Sequence, residues 1–179
     1  MPRTHNPFSL EYILLGLLDR RPMHGYDLHR QLSEVSGVGL VWQIKQSQLY
    51  ALLDRLESEG LLEARLVTEG SRPARKVYSL TSIGRQTFKA WMVAPVDNER
   101  DVRQEFLARL YFARETSPET AVELIEEQTC ACLEWLESLE IARQNLAASQ
   151  RFDRLVYEFR LHQVRATLEW LELCRRSLS

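Results

Sequence analysis

Glycine ends early in this chain. Six of the seven lie between Gly16 and Gly70, the last is Gly84, and the remaining 95 residues hold none. Proline is as scarce, six in 179 residues. These two residues permit or force a change of backbone direction, so a chain with about half the usual share of each folds mainly as helix. The stretch Ala94-Pro95-Val96-Asp97-Asn98 breaks the pattern and divides the chain at residues 1–94 and 95–179, the second part with room only for helices and short connections.

Pooled charge is uninformative. With 23 Lys+Arg, 25 Asp+Glu, a net charge of −2 and 45% hydrophobic residues, composition excludes collagen-like, low-complexity and disordered chains and little else. Divided at Pro95 it becomes informative. Residues 1–94 carry 12 basic and 9 acidic side chains, net +3, with all three lysines (Lys45, Lys76, Lys89), and residues 95–179 carry 11 and 16, net −5. Any nucleic-acid contact therefore belongs to the first part.

No apolar run approaches the ~18 residues of a membrane span, and Met1–Pro7 leads into an amphipathic segment instead of a secretory core, so a cytoplasmic protein without a membrane partner is expected. Cys130 and Cys132, two apart, point to different sides of a helix, which suits reduced thiols. The four histidines (His5, His24, His29, His162) show no metal-ligand spacing, no glycine-rich phosphate loop precedes a helix, and no serine or cysteine has a nucleophile's context. Neither an enzyme nor a bound cofactor or metal is expected.

Within 1–94, Ser9 as a cap followed by Leu10, Ile13, Leu14, Leu17 and Leu18 predicts a first helix, stopped by Arg21-Pro22. Tyr26, Leu28, Leu32 and Val35 predict a second over about Met23 to Ser36, and Gly37 and Gly39 turn the chain. Ser47 as a cap, with Leu49, Leu52, Leu53 and Leu56 inward, predicts a third ending at Gly60. The period then changes from helical to alternating. Leu62, Ala64 and Leu66 form one strand and Val77 to Leu80 another, joined by a basic loop with Arg72 at its tip and Arg75 and Lys76 entering the return. Thr81 caps a fourth helix to about Met92, anchored by Ile83, Phe88 and Trp91. Three helices followed by a basic hairpin make a winged helix-turn-helix.

The blocks Leu10-Glu11-Tyr12-Ile13-Leu14-Leu15-Gly16-Leu17-Leu18, Pro22-Met23-His24-Gly25-Tyr26-Asp27-Leu28, Leu49-Tyr50 with Leu53, Leu56-Glu57 and Glu59-Gly60-Leu61, and Arg75-Lys76-Val77-Tyr78-Ser79-Leu80-Thr81 with Gly84 resemble the PadR family of transcriptional regulators over residues 9–92. The second part resembles the long C-terminal helical region of that family's virulence-activator branch. The resemblance implies a DNA-binding regulator, more commonly a repressor, whose C-terminal helices form the dimer.

With the leucines of helix three inward, Ser47, Gln48, Tyr50, Ala51, Asp54, Arg55 and Ser58 point outward, a face that can enter a major groove. There Gln48 can pair with an adenine edge, Arg55 with phosphate or guanine, Ser47 with phosphate, and Tyr50 with phosphate or a thymine methyl, with Asp54 at the rim. Arg72 can reach a minor groove, and Arg75 and Lys76 can meet phosphates. Lys45 and Tyr26 lie near the backbone in this arrangement, Tyr26 either touching phosphate or filling the core with its hydroxyl outward.

In 95–179, Val102, Phe106, Leu107, Leu110 and Tyr111 mark one helix, and Ser117-Pro118 starts the next. Ala121, Ile125, Gln128, Cys132, Trp135, Leu139, Ala142 and Leu146 then recur at steps of four and three, as do Phe152, Val156, Phe159, Gln163, Ala166, Trp170 and Leu173. Two such seams predict an antiparallel pair of long helices packing on a second copy, with Ile125, Cys132, Trp135, Leu139, Phe159, Ala166, Trp170 and Leu173 at the interface. A homodimer would read a palindromic double-stranded DNA operator. The resemblance further implies a pocket for a small planar effector, to which Trp91, Trp135 and Trp170 could contribute if they are not simply core. The rival reading is a winged helix used as a protein-interaction module.

Overall fold

A computed structural model describes residues 8–34, 36–42, 44–68 and 74–178 of the chain. It contains two compact units, 1–92 and 93–179. No described helix is long and apolar enough to cross a membrane, and among the described residues no group of three or more His, Cys, Asp or Glu could hold a metal.

The first unit runs α1 (Phe8–Arg20), β1 (Met23–His24), α2 (Gly25–Ser33), a 3-10 turn at Gly37–Leu40, α3 (Gln46–Ser58), β2 (Leu62–Val67), β3 (Arg75–Leu80) and α4 (Ser82–Val93). The sheet is antiparallel in the order β1-β3-β2. A winged helix-turn-helix is what the helix order and the hairpin predict, and it is what forms. The backbone of α1 begins at Phe8, and the Ser9 side chain expected to cap it lies outside the described residues.

Helix α1 buries more than the predicted stripe. Leu15 is covered along with Ile13, Leu14, Leu17 and Leu18, so this helix is enclosed on most sides. Strand β1 was not predicted, because two residues show no periodicity. It pairs Met23 with Tyr78 and His24 with Val77, which delays the start of α2 to Gly25. Helix α3 starts one turn position early, with Lys45 as its flanking residue, so Ser47 sits inside the first turn and does not cap it. Leu66 and Ile83, expected to face inward, are exposed, the first on the part of the hairpin that extends past the core.

The corner that carries the hairpin is built around Gly60 and Gly84. Gly60, at φ 73°, supplies the left-handed turn that ends α3. The backbone then passes so close to α4 that a Cβ on Gly84 would stand 2.1 Å from the Leu61 carbonyl oxygen. Thr81 locks the approach as predicted: its hydroxyl donates to the Gly60 carbonyl at 2.8 Å and accepts from the Gly84 N–H at 3.0 Å.

The second unit has α5 (Leu107–Thr116), α6 (Pro118–Gln144) and α7 (Arg151–Leu178), with a wide π-type turn at Val102–Phe106 leading into α5. Ser117 caps α6 by accepting from the Thr120 N–H at 3.1 Å, with Pro118 at the first position. Helices α6 and α7 are antiparallel: Glu140 pairs with Arg165 and Arg143 with Glu158. At about 1.5 Å per residue each spans roughly 40 Å. The segment before α5 is tied to this unit through Arg109, whose guanidinium donates to the Pro95 carbonyl at 2.9 Å and to that of Ala94, and pairs with Glu105.

Candidate nucleic-acid interface

The polar face of α3 is exposed as its leucine spacing predicts. Leu49, Leu53 and Leu56 are fully buried, and Ser47, Gln48, Tyr50, Ala51, Asp54 and Ser58 face out. Gln48 also serves the helix, its Oε1 accepting the Lys45 backbone N–H at 3.4 Å. That contact is long and solvent-exposed, so the amide can turn to a base edge at little cost. Lys45 itself is exposed beside the helix N-terminus, where backbone N–H groups and a positive dipole end already favour an anion.

Tyr50 is held by a glycine. A Cβ on Gly25 would lie 2.7 Å from Tyr50 Cε1, so the missing side chain is what lets the ring lie against the start of α2. Tyr26 is 59% exposed, which places its ring outside the core. Together His24, Gly25, Tyr26, Tyr50, Asp54, Arg75, Lys76 and Tyr78 line an open cleft of about 740 Å³ between α2, α3 and β3.

The cations predicted for DNA divide into two kinds. Arg75 is exposed, and among the described residues no carboxylate pairs with it. Arg55 is committed elsewhere: it pairs with the buried Glu11 of α1 and lies 3.7 Å from Glu59. In the single chain it braces α1 against α3. Lys76 is also engaged, 3.0 Å from Glu57 Oε2 and 4.0 Å from Asp54 Oδ1. The Glu57 hydrogen bond holds its ammonium above the usual lysine range. Asp54, expected at the rim, is exposed and faces this lysine. Arg72 lies outside the described residues.

In the second unit the predicted interface residues separate. Ile125, Cys132 and Leu139 are buried within the single chain, and Trp135 is half-buried. Ile125, Cys132 and Leu139, expected at the interface between copies, pack α6 inside the unit in the single chain. On α7 the stripe turned into the unit is Tyr157, Leu161, Val164, Leu168 and Leu171. Most of the predicted stripe lies on the other side: Phe159 and Leu173 are each 62% exposed, Ala166 is exposed, and Phe152, Leu155 and Val156 extend the open face, while Trp170 is half-buried. The α7 helix therefore carries two apolar seams offset by two residues, about 200° apart.

The three tryptophans suggested for an effector are divided between the units, Trp91 in the first and Trp135 and Trp170 in the second. Trp91 is buried and stacks on Tyr12 at 4.9 Å with 3° between the planes. Trp170 packs edge-on to Phe106. Trp135 lines a cleft of about 460 Å³, with Asp97, Glu99, Arg100, Tyr157 and Arg160 among its walls.

Fold and site together define a winged helix-turn-helix regulator with an appended helical unit. The model of the transcriptional regulator PadR-like family matches residues 14–90, and that of the virulence activator alpha C-terminal region matches residues 102–179. The negative transcriptional regulator PadR of Bacillus subtilis is 31% identical over 140 residues, 78% of this chain and 76% of that protein. A probable transcriptional regulator of Mycobacterium tuberculosis is 27% identical over 95 residues, 53% of this chain and 49% of that one. A crystal structure of Bacillus subtilis PadR in complex with operator DNA covers 95% of this chain and 99% of its own, at 26% identity and a TM-score of 0.48. The chain belongs to the PadR-like family of transcriptional regulators. The matching families and named relatives are regulators and not enzymes.

Proposed function

We propose that this regulator is a homodimeric, sequence-specific repressor in which residues 1–94 bind DNA and residues 95–179 make the dimer. The observation that carries the reading is the polar face of α3 beside the Arg75-bearing hairpin, on the half of the chain with a net charge of +3. In this reading α3 enters the major groove, Gln48 and Tyr50 meet base edges or the thymine methyl, and Lys45, Ser47, Arg75 and Tyr26 meet the backbone. Arg72 reaches phosphate or the minor groove. The open seam of α7, with Phe152, Val156, Phe159 and Leu173, supports a second copy as its partner, and two modules about one helical turn apart, roughly 34 Å, read a palindrome. Repression follows the negative role named for the Bacillus relative. A small planar effector is a further part of the proposal, with the Trp135 cleft as its site and the cytoplasm as the place of action.

Purified protein should select duplexes that share a palindrome, with affinity falling steeply with salt, roughly 0.9 units of log–log slope per phosphate neutralised. A protein-interaction module would instead show weak, sequence-blind binding and select no common motif. Titrating planar aromatic compounds against tryptophan fluorescence tests the effector, and a flat response across the panel counts against it.

A further inference from the structure

Three elements of the interface meet at Lys76. Its ammonium reaches Glu57 and Asp54, one turn apart on α3. Its carbonyl oxygen accepts from Nδ1 of His24, the residue that precedes α2, at 3.1 Å. Its own strand, β3, is paired to β1 through His24 and Val77, and the ammonium stands 5.8 Å from the centre of the Tyr78 ring. A lysine facing two carboxylates brings no net positive charge to a phosphate. To contact one it would have to leave Glu57, exposing two negative groups on the face that approaches DNA.

We propose that Lys76 is a positioning residue and not a phosphate contact: its clasp with Glu57 fixes strand β3 against α3 and so sets the distance between the phosphates met by the hairpin and the bases met by the helix. This rests on the DNA-binding reading above. Specific binding needs both sets of contacts at once, in register. Non-specific binding needs only charge near the backbone, so it tolerates a hairpin that shifts.

The full chain should be measured against two duplexes over a salt series: one selected from a random library by the wild type, and a scrambled version of it. The double variant E57Q/K76M removes the clasp without changing net charge. It is expected to bind the selected duplex about tenfold more weakly, the scrambled one within about twofold of wild type, with an unchanged salt slope. The swapped pair E57K/K76E, which rebuilds the clasp, should recover most of the discrimination, and K76R should resemble wild type. A uniform loss on both duplexes with a slope lower by about one unit in E57Q/K76M would overturn the proposal, because a lost phosphate contact weakens binding to all sequences alike. So would a swapped pair that discriminates no better than the double variant. If wild type shows no salt-dependent binding to either duplex, the DNA-binding reading falls as well, an outcome distinct from these.

Discussion

The side-chain carbonyl of Gln128 accepts a hydrogen bond from the Val96 backbone N–H at 2.8 Å, joining the middle of α6 to the segment that precedes α5. Both groups are buried, and the Gln128 amide nitrogen turns to Cys132 Sγ at 3.8 Å. A polar residue at an apolar seam position is thereby satisfied, and the seam keeps its register. Replacing Gln128 with Leu strands the Val96 N–H away from water, which costs about 1–3 kcal/mol. The Q128L variant should melt several degrees lower and exchange the Val96 amide faster, both in the full chain. An unchanged exchange rate at Val96 would show that the bond contributes nothing to holding this segment.

Acid should spare one glutamate near the end of α7. Glu172 accepts hydrogen bonds from Arg175 at 2.9 Å and Arg176 at 2.8 Å, and these, Arg175 first, lower its pKa from 4.5 to about 2. A carboxylate depressed in the folded state contributes stability that is fully present above its unfolded pKa and is lost as pH falls through the folded value. The window is therefore roughly pH 4.5 down to 2. Carboxyl titration by NMR should put the Glu172 midpoint well below the usual glutamate range, and R175A should move it up. A midpoint near 4.5 in the unmodified chain would refute the pairing.

Arg55 and Arg75 should answer the same substitution in opposite ways. Arg75 is exposed on the hairpin with no carboxylate partner among the described residues, so R75A should leave stability within about 0.5 kcal/mol of wild type and reduce the salt slope of DNA binding by roughly one unit. Removing Arg55 leaves the Glu11 carboxylate buried without its partner, a cost of about 2–3 kcal/mol. The R55A slope should match wild type. Denaturant melts beside salt titrations separate the two. A slope reduced by R55A as much as by R75A would return Arg55 to the DNA contacts.

How much was legible can be judged at these same residues. The alternation at Leu62–Leu66, the leucines of α3 and the cap at Thr81 are local patterns, and sequence locates them to within a residue or two. Strand β1 is not local: Met23 and His24 become a strand only because Tyr78 and Val77, more than fifty positions later, lie beside them. The outward face of α3 was readable, but the partners of Arg55 and Lys76 were not, since Glu11 lies two helices away and Glu57 faces a strand across a loop. On α7 the steps of four and three were read as a seam, and in the single chain most of those residues are exposed. The helix holds two seams two residues apart, and spacing alone does not say which one the rest of the chain covers.

That second seam leads to the last prediction. Phe152, Leu155, Val156 and Phe159 fall at positions i, i+3, i+4 and i+7 of α7, and all are at least 40% exposed in the single chain. Four large apolar side chains on one stripe, opposite a stripe already packed, leave a contiguous surface that water covers poorly. If a second copy covers it, F152S/F159S should sediment as a folded monomer with unchanged helical circular dichroism. Losing the linked pair of DNA-binding modules should weaken operator binding by roughly a hundredfold or more, because each half-site is then bound alone. The contrasting variant is I125A: Ile125 is 1% exposed inside the unit, so its truncation should cost about 2–5 kcal/mol of stability. The folded fraction of I125A should remain dimeric. A dimeric F152S/F159S would place the contact between copies on some other face.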